Sequence, residues 1–171
     1  CRSYRRFRQD PIPQEVLQEI ADTARIRSCA LNAQVLRYLV IRSPAVVKKL
    51  SSCFRWAAKL PREIGTPTET QQPTAYIVVL KPEKTHPFAD IDVGIALDTM
   101  AWSHGIGSCI LGSINRKSLS EAVKIPTGFD VCMVLALGYP DHRSTLVEAG
   151  TEDSLNYYVD ENRDYYVPKK S

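Results

Sequence analysis

Three groups of residues in this sequence have side chains or backbone that could bind a ligand chemically. The first lies at the N-terminus, where arginines alternate with a serine and aromatic residues: Arg2, Ser3, Tyr4, Arg5, Arg6, Phe7 and Arg8. Guanidinium and hydroxyl groups donate the hydrogen bonds that a phosphate accepts. This pattern fits a phosphate site, although a solvated basic chain end would have the same composition.

The second group is a glycine-rich segment over residues 105–113. Gly107 and Gly112 have the spacing of a phosphate-binding P-loop, but Ser113 and Ile114 replace the lysine and hydroxyl residue that such a loop requires. The glycine pattern of dinucleotide-binding folds is also absent. What remains is a strand bounded by glycines, whose backbone N–H groups could approach a planar ligand closely. A helix stop followed by a buried strand is the alternative.

The third group is a run of small and amide side chains over residues 28–34, with the sequence Ser-Cys-Ala-Leu-Asn-Ala-Gln. Asn32 and Gln34 each offer a donor and an acceptor, so they could bind the edge of a heteroaromatic ring. Asparagine also commonly stabilises turns, which is the other interpretation of the run.

Other catalytic patterns receive no support from the sequence. His86, His104 and His142 stand in no recognised nucleophile motif. Cys109 has apolar neighbours that would raise its thiol pKa, so we expect it to pack rather than to react. The pair Asp90 and Asp92 could act as acid and base, but such pairs more commonly begin a helix.

Composition limits the class of protein. The chain has 171 residues, of which 44% are apolar and 24% charged, and this predicts one globular domain over residues 1–171. A net charge of +3 is too small to predict nucleic-acid binding by charge. The five cysteines form no C-x-x-C pair, so we expect no metal site and a reducing, cytoplasmic location. No apolar run is long enough to predict a membrane span.

Hydrophobic periodicity and turn residues predict both helices and strands. Helices are predicted at 13–25, 44–50, 51–60, 91–104 and 118–124, the last from a capping box at Ser118. Strands are predicted at 36–41, 76–80, 107–112 and 131–137, with the second and fourth buried on both faces. The helix at 91–104 is apolar almost all round, which indicates burial on several sides, for instance at a subunit interface.

The order of these segments along the chain resembles the FMN-dependent nitroreductase family. The resemblance rests on six segments, from Arg2-Ser-Tyr-Arg-Arg-Phe7 through Pro11-Ile-Pro13, Ser28–Tyr38, Gly105–Gly112 and Leu137–Pro140 to Val167-Pro-Lys-Lys170. It implies an α+β fold with a central mixed sheet flanked by helices. It also implies a domain-exchanged homodimer that binds two FMN molecules at the subunit interface.

The resemblance also implies which residues bind the cofactor. Cys1, Arg2, Ser3 and Arg5 match the segment that binds the phosphate, ribityl and pyrimidine parts of FMN, and Cys1 stands where the family commonly has arginine. Ser28, Cys29, Asn32 and Gln34 match the segment that reaches the flavin from the partner subunit. The backbone N–H that meets flavin N5 falls on Ile110, Leu111 or Gly112, and Lys169 and Lys170 match a basic pair that neutralises phosphate.

The activity implied is transfer of hydride from NADH or NADPH through flavin N5 to a nitroaromatic, a quinone or a similar small acceptor. No side chain need act as acid or base, and Arg5 is expected to give electrostatic support. The irregular segment 61–73 is expected to cover the flavin. Two alternatives remain: a flavin-storage protein or specialised flavin oxidase on the same fold, and a binding protein for another phosphate ligand.

Overall fold

The computed structural model describes residues 2–102 and 104–170. Its largest sheet has five strands, β1 (Phe7–Arg8), β2 (Arg37–Ile41), β3 (Ala75–Pro82), β4 (Gly107–Leu111) and β5 (Phe129–Pro140). Strand β5 is the organising strand, because it pairs antiparallel with β3, with β4 and, at its end, with β1. Strand β2 extends the sheet by pairing antiparallel with β3.

Strand β3 is buried on both faces, as the sequence predicts. The side chains from Tyr76 to Leu80 are all 0% exposed. Ile77 and Val79 belong to one hydrophobic cluster, whereas Tyr76, Val78 and Leu80 belong to another. The alternation follows from the two-residue period of a strand, and it places the sheet between two apolar layers.

Within residues 2–102 and 104–170, five α-helices accompany the sheet: α1 (Gln14–Arg25), α2 (Pro44–Ser51), α3 (Arg62–Gly65), α4 (Ala89–Trp102) and α5 (Arg116–Ala122). Helices α1 and α4 supply buried residues to the cluster on one face of the sheet, and α2 and α5 supply residues to the cluster on the other. Four of the helices therefore sandwich the sheet in an α+β arrangement.

Two predicted helices need correction. Residues 52–60 form no helix, because backbone groups there pair with the segment before α5: Arg55 N donates to Ser113 O at 3.1 Å, and Asn115 N donates to Cys53 O at 2.8 Å. Helix α5 begins at Arg116 rather than at Ser118, since the Asn115 side chain accepts a hydrogen bond from Ser118 N and caps the helix.

A second sheet of three strands follows β5. It contains β6 (Ser144–Ala149), β7 (Tyr158–Val159) and β8 (Tyr165–Lys170), with β6 parallel and β7 antiparallel to β8. The resemblance implies one mixed central sheet. Among the described residues, however, the central sheet's named strands all pair antiparallel, and its parallel contact is the isolated bridge between Ser3 and Ser108.

Helix α4 leaves one apolar side uncovered. Ile91 is 60% exposed, Ile95 37% and Trp102 73%, and their spacing places them on one face of the helix. His104 and Gly105 follow the helix, both with left-handed backbone, and this conformation marks its end. Among the described residues, no helix has the length and apolar character needed to cross a membrane.

Candidate functional site

The N-terminal segment lies along β4. Ser3 forms a parallel bridge with Ser108, and Tyr4 N donates to Ser108 O at 2.7 Å. Arg2 and Tyr4, together with residues 105–108, line an open cavity of about 280 Å³. The structure therefore brings the first sequence group, Arg2 and Ser3, against the second, the glycine-bounded strand. Cys1 lies outside the described residues.

Arg5 is held by aromatic rings from the C-terminal segment. Its guanidinium carbon lies 4.6 Å from the centre of the Tyr157 ring and 4.9 Å from that of Tyr165. A guanidinium over aromatic faces is attracted by the ring quadrupoles, so the two tyrosines restrict where Arg5 can point. Arg5 also lies close enough to the Cys109 thiol to act on its pKa.

Cys109 is a packing residue rather than a nucleophile. Burial raises the pKa of its thiol to about 11, although Arg5 and Ser3 oppose the rise. At neutral pH the thiol is therefore protonated, and only the thiolate is strongly nucleophilic. This agrees with the expectation drawn from its apolar neighbours.

Arg6 serves the fold rather than a ligand. It is 5% exposed, and its Nη2 donates to Arg163 O at 2.6 Å, which ties the N-terminal segment to the turn before β8. Burial lowers the pKa of Arg6. Beside it, the His142 ring lies between Tyr4 and Tyr165, at 5.2 and 4.8 Å between ring centres.

His142 is neutral at physiological pH. Burial, followed by the charge of Arg6, lowers the pKa of its imidazole to about 4. A neutral ring at this point adds no charge beside Arg5 and Arg6. Among the described residues, the positive charge that acts on His142 comes from Arg5 and Arg6.

Strand β4, whose C-terminal end is expected to meet the flavin, is an edge strand. Strand β4 pairs with β5 on one side, and on the other its described contact is the bridge at Ser108. Ile110 is 46% exposed, whereas Leu111 is buried, and Gly112 follows directly after the strand. Edge strands leave backbone N–H and C=O groups free to bind another molecule.

The amide-rich group, residues 28–34, lies at a different place. Ser28, Cys29 and Gln34 line a cavity of about 510 Å³ between α1, β2 and α4, and none of the residues of the N-terminal or β4 groups lines it. Asn32 joins this group because Gln34 Nε2 donates to Asn32 Oδ1 at 2.9 Å. Within one chain, the two halves of the expected site are thus separate.

The C-terminal lysines lie in the second sheet. Lys169 Nζ is 2.7 Å from Glu148 Oε1, across the pairing of β8 with β6, and Lys170 is exposed at the strand end. The C-terminal segment does reach the N-terminal arginines, but through Tyr157, Tyr165 and the Arg163 carbonyl.

Comparison with known proteins decides the family. The sequence profile of the nitroreductase family matches residues 2–139, which is more than half of the chain. The chain belongs to the nitroreductase family. A protein of Archaeoglobus fulgidus with the provisional name NADH dehydrogenase/NAD(P)H nitroreductase is 28% identical to it over 165 residues, covering 91% of this chain and 88% of that protein.

Solved structures agree with this assignment at the level of the fold. An FMN-dependent nitroreductase of Clostridium difficile superposes with a TM-score of 0.68 at 19% identity, covering 83% of this nitroreductase-family chain and 84% of the other. A nitroreductase of Bacteroides fragilis, solved with bound FMN, gives a TM-score of 0.65 at 22% identity, with 90% and 93% covered. The nitroreductase-like α+β fold is therefore confirmed.

Two features of this nitroreductase-family site escaped the sequence analysis. The tyrosines around Arg5 lie more than 150 positions away along the chain, and no local pattern links them to it. Asp92 lies in the first turn of α4, as its interpretation as a helix-start residue predicts, but it is also 4% exposed and accepts a hydrogen bond from Ala30 N at 2.9 Å. Its position between Ile91 and Val93 is the signal that the sequence offers for this burial.

Proposed function

We propose that this protein is an FMN-dependent oxidoreductase that takes hydride from NADH or NADPH and passes it to nitroaromatic, quinone or similar small acceptors. One observation carries the proposal. Ser3 forms a bridge with Ser108 of the edge strand β4, Arg2 lines a cavity with residues 105–108, and Arg5 lies near Cys109. Candidate phosphate donors and the free edge of β4, which ends at Leu111, therefore belong to the same part of the molecule. Family membership and the fold support the same conclusion.

The residues present fit an FMN molecule. The guanidinium groups of Arg2 and Arg5 and the hydroxyl of Ser3 match the charge and the acceptor oxygens of its phosphate. The edge of β4 from Cys109 onward can offer N–H groups to a planar ring, with Ile110 exposed beside it. FMN would add the capacity to accept hydride and to release it to a second substrate.

In the proposed reaction, the protein's own residues bind FMN and orient it. Arg5, restrained by Tyr157 and Tyr165, supplies fixed positive charge where negative charge develops during reduction. Cys109 stays protonated at neutral pH, and His142 stays neutral. No acid or base is assigned to the described side chains, and none is needed for hydride transfer.

The site we propose is completed by a second copy of the chain. Ser28, Cys29, Asn32 and Gln34 would come from the partner subunit. Within one chain Ser28, Cys29 and Gln34 line a cavity that excludes Arg2, Ser3 and Arg5, and Asn32 is hydrogen-bonded to Gln34. The exposed apolar side of α4 supports a homodimer, since exposed apolar patches commonly mark interfaces. We further propose that residues 1–171 act as one unit and that the C-terminal segments are exchanged between subunits.

We propose that Lys169 and Lys170 contact the FMN phosphate only in a dimer whose C-terminal segments are exchanged. Within one chain Lys169 is paired with Glu148 and is partly solvent-exposed. An exposed pair of this kind contributes little to stability, so moving the lysine to a phosphate would cost little. Their contribution to FMN binding is therefore tied to the exchange of the C-terminal strand.

A spectrum tests the proposed function. The protein is purified, supplied with FMN, desalted and titrated anaerobically with NADH and then NADPH. We expect retained FMN absorbance that is bleached by one of the two nucleotides and restored by a nitroaromatic or a quinone. Flavin that is retained but never bleached would indicate a storage protein, and bleaching restored only by oxygen would indicate an oxidase. A protein that retains no FMN would contradict the proposal.

A further inference from the structure

The amide-rich segment has an unusual backbone. Leu31, Asn32 and Gln34 have φ angles of 57°, 51° and 47°, so three non-glycine residues out of four adopt the left-handed conformation. Side chains disfavour this conformation, and such residues persist only where the surrounding structure holds them. Leu31 is also 84% exposed, so burial of its side chain does not stabilise the turn.

A buried carboxylate from helix α4 holds one end of this turn. Asp92 Oδ1 accepts a hydrogen bond from Ala30 N at 2.9 Å, across 62 positions of the chain. The Asp92 side chain is 4% exposed, and its Oδ2 lies 3.4 Å from Nε2 of His86, which precedes α4. A charge-assisted bond to a buried acceptor is stronger than an ordinary one, so the turn is fixed to the helix at Ala30.

Arg37 holds the other end. Its Nη1 donates to Gln34 O at 3.1 Å and to Leu36 O at 2.8 Å, which satisfies carbonyl groups that the irregular backbone leaves unpaired. The turn is therefore fixed by an acceptor at its start and by a donor at its end. Between these two points lie Asn32 and Gln34, the side chains that would reach the flavin.

We propose that Asp92 is a positioning residue for the flavin site. By accepting the Ala30 N–H, it holds residues 30–34 in the left-handed turn that presents Asn32 and Gln34 to FMN in the partner subunit. The inference rests on the proposed function, because the turn has a ligand to meet only if FMN binds there. Asp92 itself touches no ligand in this account and acts through the turn.

Asp92 lies on the same helix as the residues that we propose for the dimer interface. Ile91 and Ile95, the neighbours of Asp92 along the helix, are exposed on the face proposed for the dimer interface. One helix would thus carry both the interface and the residue that fixes the turn. Asn32 and Gln34 would then keep a constant position relative to the partner's Arg2, Ser3 and Arg5 binding group.

The test compares four variants of the full chain. Asp92→Ala removes the acceptor, and Asp92→Leu removes it while filling its volume, which guards against a variant that fails to fold. Asp92→Asn keeps an oxygen that can accept from Ala30 N. Glu121→Ala is the control for loss of an exposed carboxylate, because Glu121 is exposed on α5, which packs on the opposite face of the sheet from α4. FMN affinity is measured by fluorescence titration, and amide exchange of residues 29–34 is measured in the flavin-free protein.

We expect Asp92→Ala and Asp92→Leu to weaken FMN binding by about tenfold or more, the equivalent of one charge-assisted hydrogen bond. Exchange at 29–34 should accelerate in both, whereas the melting temperature and exchange elsewhere stay close to those of Glu121→Ala. Asp92→Asn should recover most of the affinity. This combination separates positioning of the turn from a general loss of stability.

Three results would overturn the inference. If the wild type binds FMN and both acceptor-free variants bind it equally well, Asp92 does not position the site, although the proposed function stands. If affinity falls only in proportion to the melting temperature and exchange rises throughout the chain, Asp92 has a structural role alone. If the wild type itself binds no FMN, the proposed function fails and the inference fails with it.

Discussion

At the scale of single residues, the surroundings of each charged group separate binding candidates from structural ones. Arg5 and Arg6 are adjacent, yet Arg6 is buried against the Arg163 carbonyl, whereas Arg5 is only partly buried between two tyrosine rings. The sequence could predict a basic cluster but not this division, because the partners come from the far end of the chain.

Replacing Arg5 tests whether its guanidinium group contributes to FMN binding. We expect Arg5→Ala to weaken FMN binding by about tenfold or more, because one charge-assisted contact contributes about 1.5–3 kcal/mol. Arg8→Ala is the control, since Arg8 is exposed and pairs with Asp10 at 3.1 Å. Both dissociation constants are measured by fluorescence titration, and an Arg5→Ala protein with wild-type affinity would rule out the assignment.

His142 predicts how stability depends on pH. Its pKa is about 4 in the folded chain against 6.5 for the free side chain, so as the pH falls the unfolded state takes up the proton first. The stabilisation linked to neutral His142 is therefore present above about pH 6.5 and is lost between there and about pH 4.

The measurement is chemical unfolding at pH 7.5 and at pH 5. We expect the wild type to lose more free energy of unfolding between these values than His142→Phe, which keeps the ring packing without the titration. Arg5, Arg6 and Asp164 also face His142 and remain in both proteins. Equal losses in the two proteins would show that His142 is not the group responsible.

At the scale of elements, the close approach of the Phe7 side chain to the backbone of β5 explains why residue 138 is glycine. A Cβ at Gly138 would lie 2.7 Å from Cδ1 of Phe7, so the pairing of β1 with β5 requires glycine there. We expect Gly138→Ala to lower the free energy of unfolding by about 1–3 kcal/mol, the usual cost of overpacking.

Gly94 on helix α4 is the matched comparison. A Cβ there has nothing within 4 Å, so Gly94→Ala should raise the free energy of unfolding by about 0.5–1 kcal/mol through helix propensity. Both are measured by urea unfolding. Similar effects of the two substitutions would contradict the packing of Phe7 on Gly138.

The exposed side of α4 gives a prediction about assembly. Ile91→Lys places a charge in the proposed interface, so we expect a larger monomer fraction in light scattering and a loss of FMN together with the dimer. Ser120→Lys, on the exposed part of α5, serves as the control for added charge. A dimeric Ile91→Lys protein that retains FMN would place the interface elsewhere.

Sequence patterns predicted elements well where local and tertiary preferences agree. The apolar periodicity of α1 and the continuous apolar run of β3 both match the structure closely, because each is buried as its pattern requires. The helix predicted at 51–60 is wrong because backbone groups of Cys53 and Arg55 form hydrogen bonds with the distant backbone of Asn115 and Ser113 instead of with each other's helical neighbours. No local signal at 51–60 reveals that competition.

At the scale of the whole molecule, the two halves of the candidate site line different cavities of one chain. The resemblance implied residues from both halves, but only the structure places the N-terminal group along β4 and the amide-rich group between α1 and α4. We propose that the partner subunit supplies the missing half of each site. The central claim is therefore that two copies form each site.

Mixed dimers test that claim most directly. Arg5→Ala and Asn32→Ala, each of which should bind FMN weakly alone, are unfolded and refolded together so that mixed dimers form. If each site takes Arg5 from one chain and Asn32 from the other, a mixed dimer has one intact site and one doubly altered site. We predict that the mixture recovers high-affinity FMN binding at one site per mixed dimer. Affinity that stays as weak as in the separate variants would contradict a site shared between subunits.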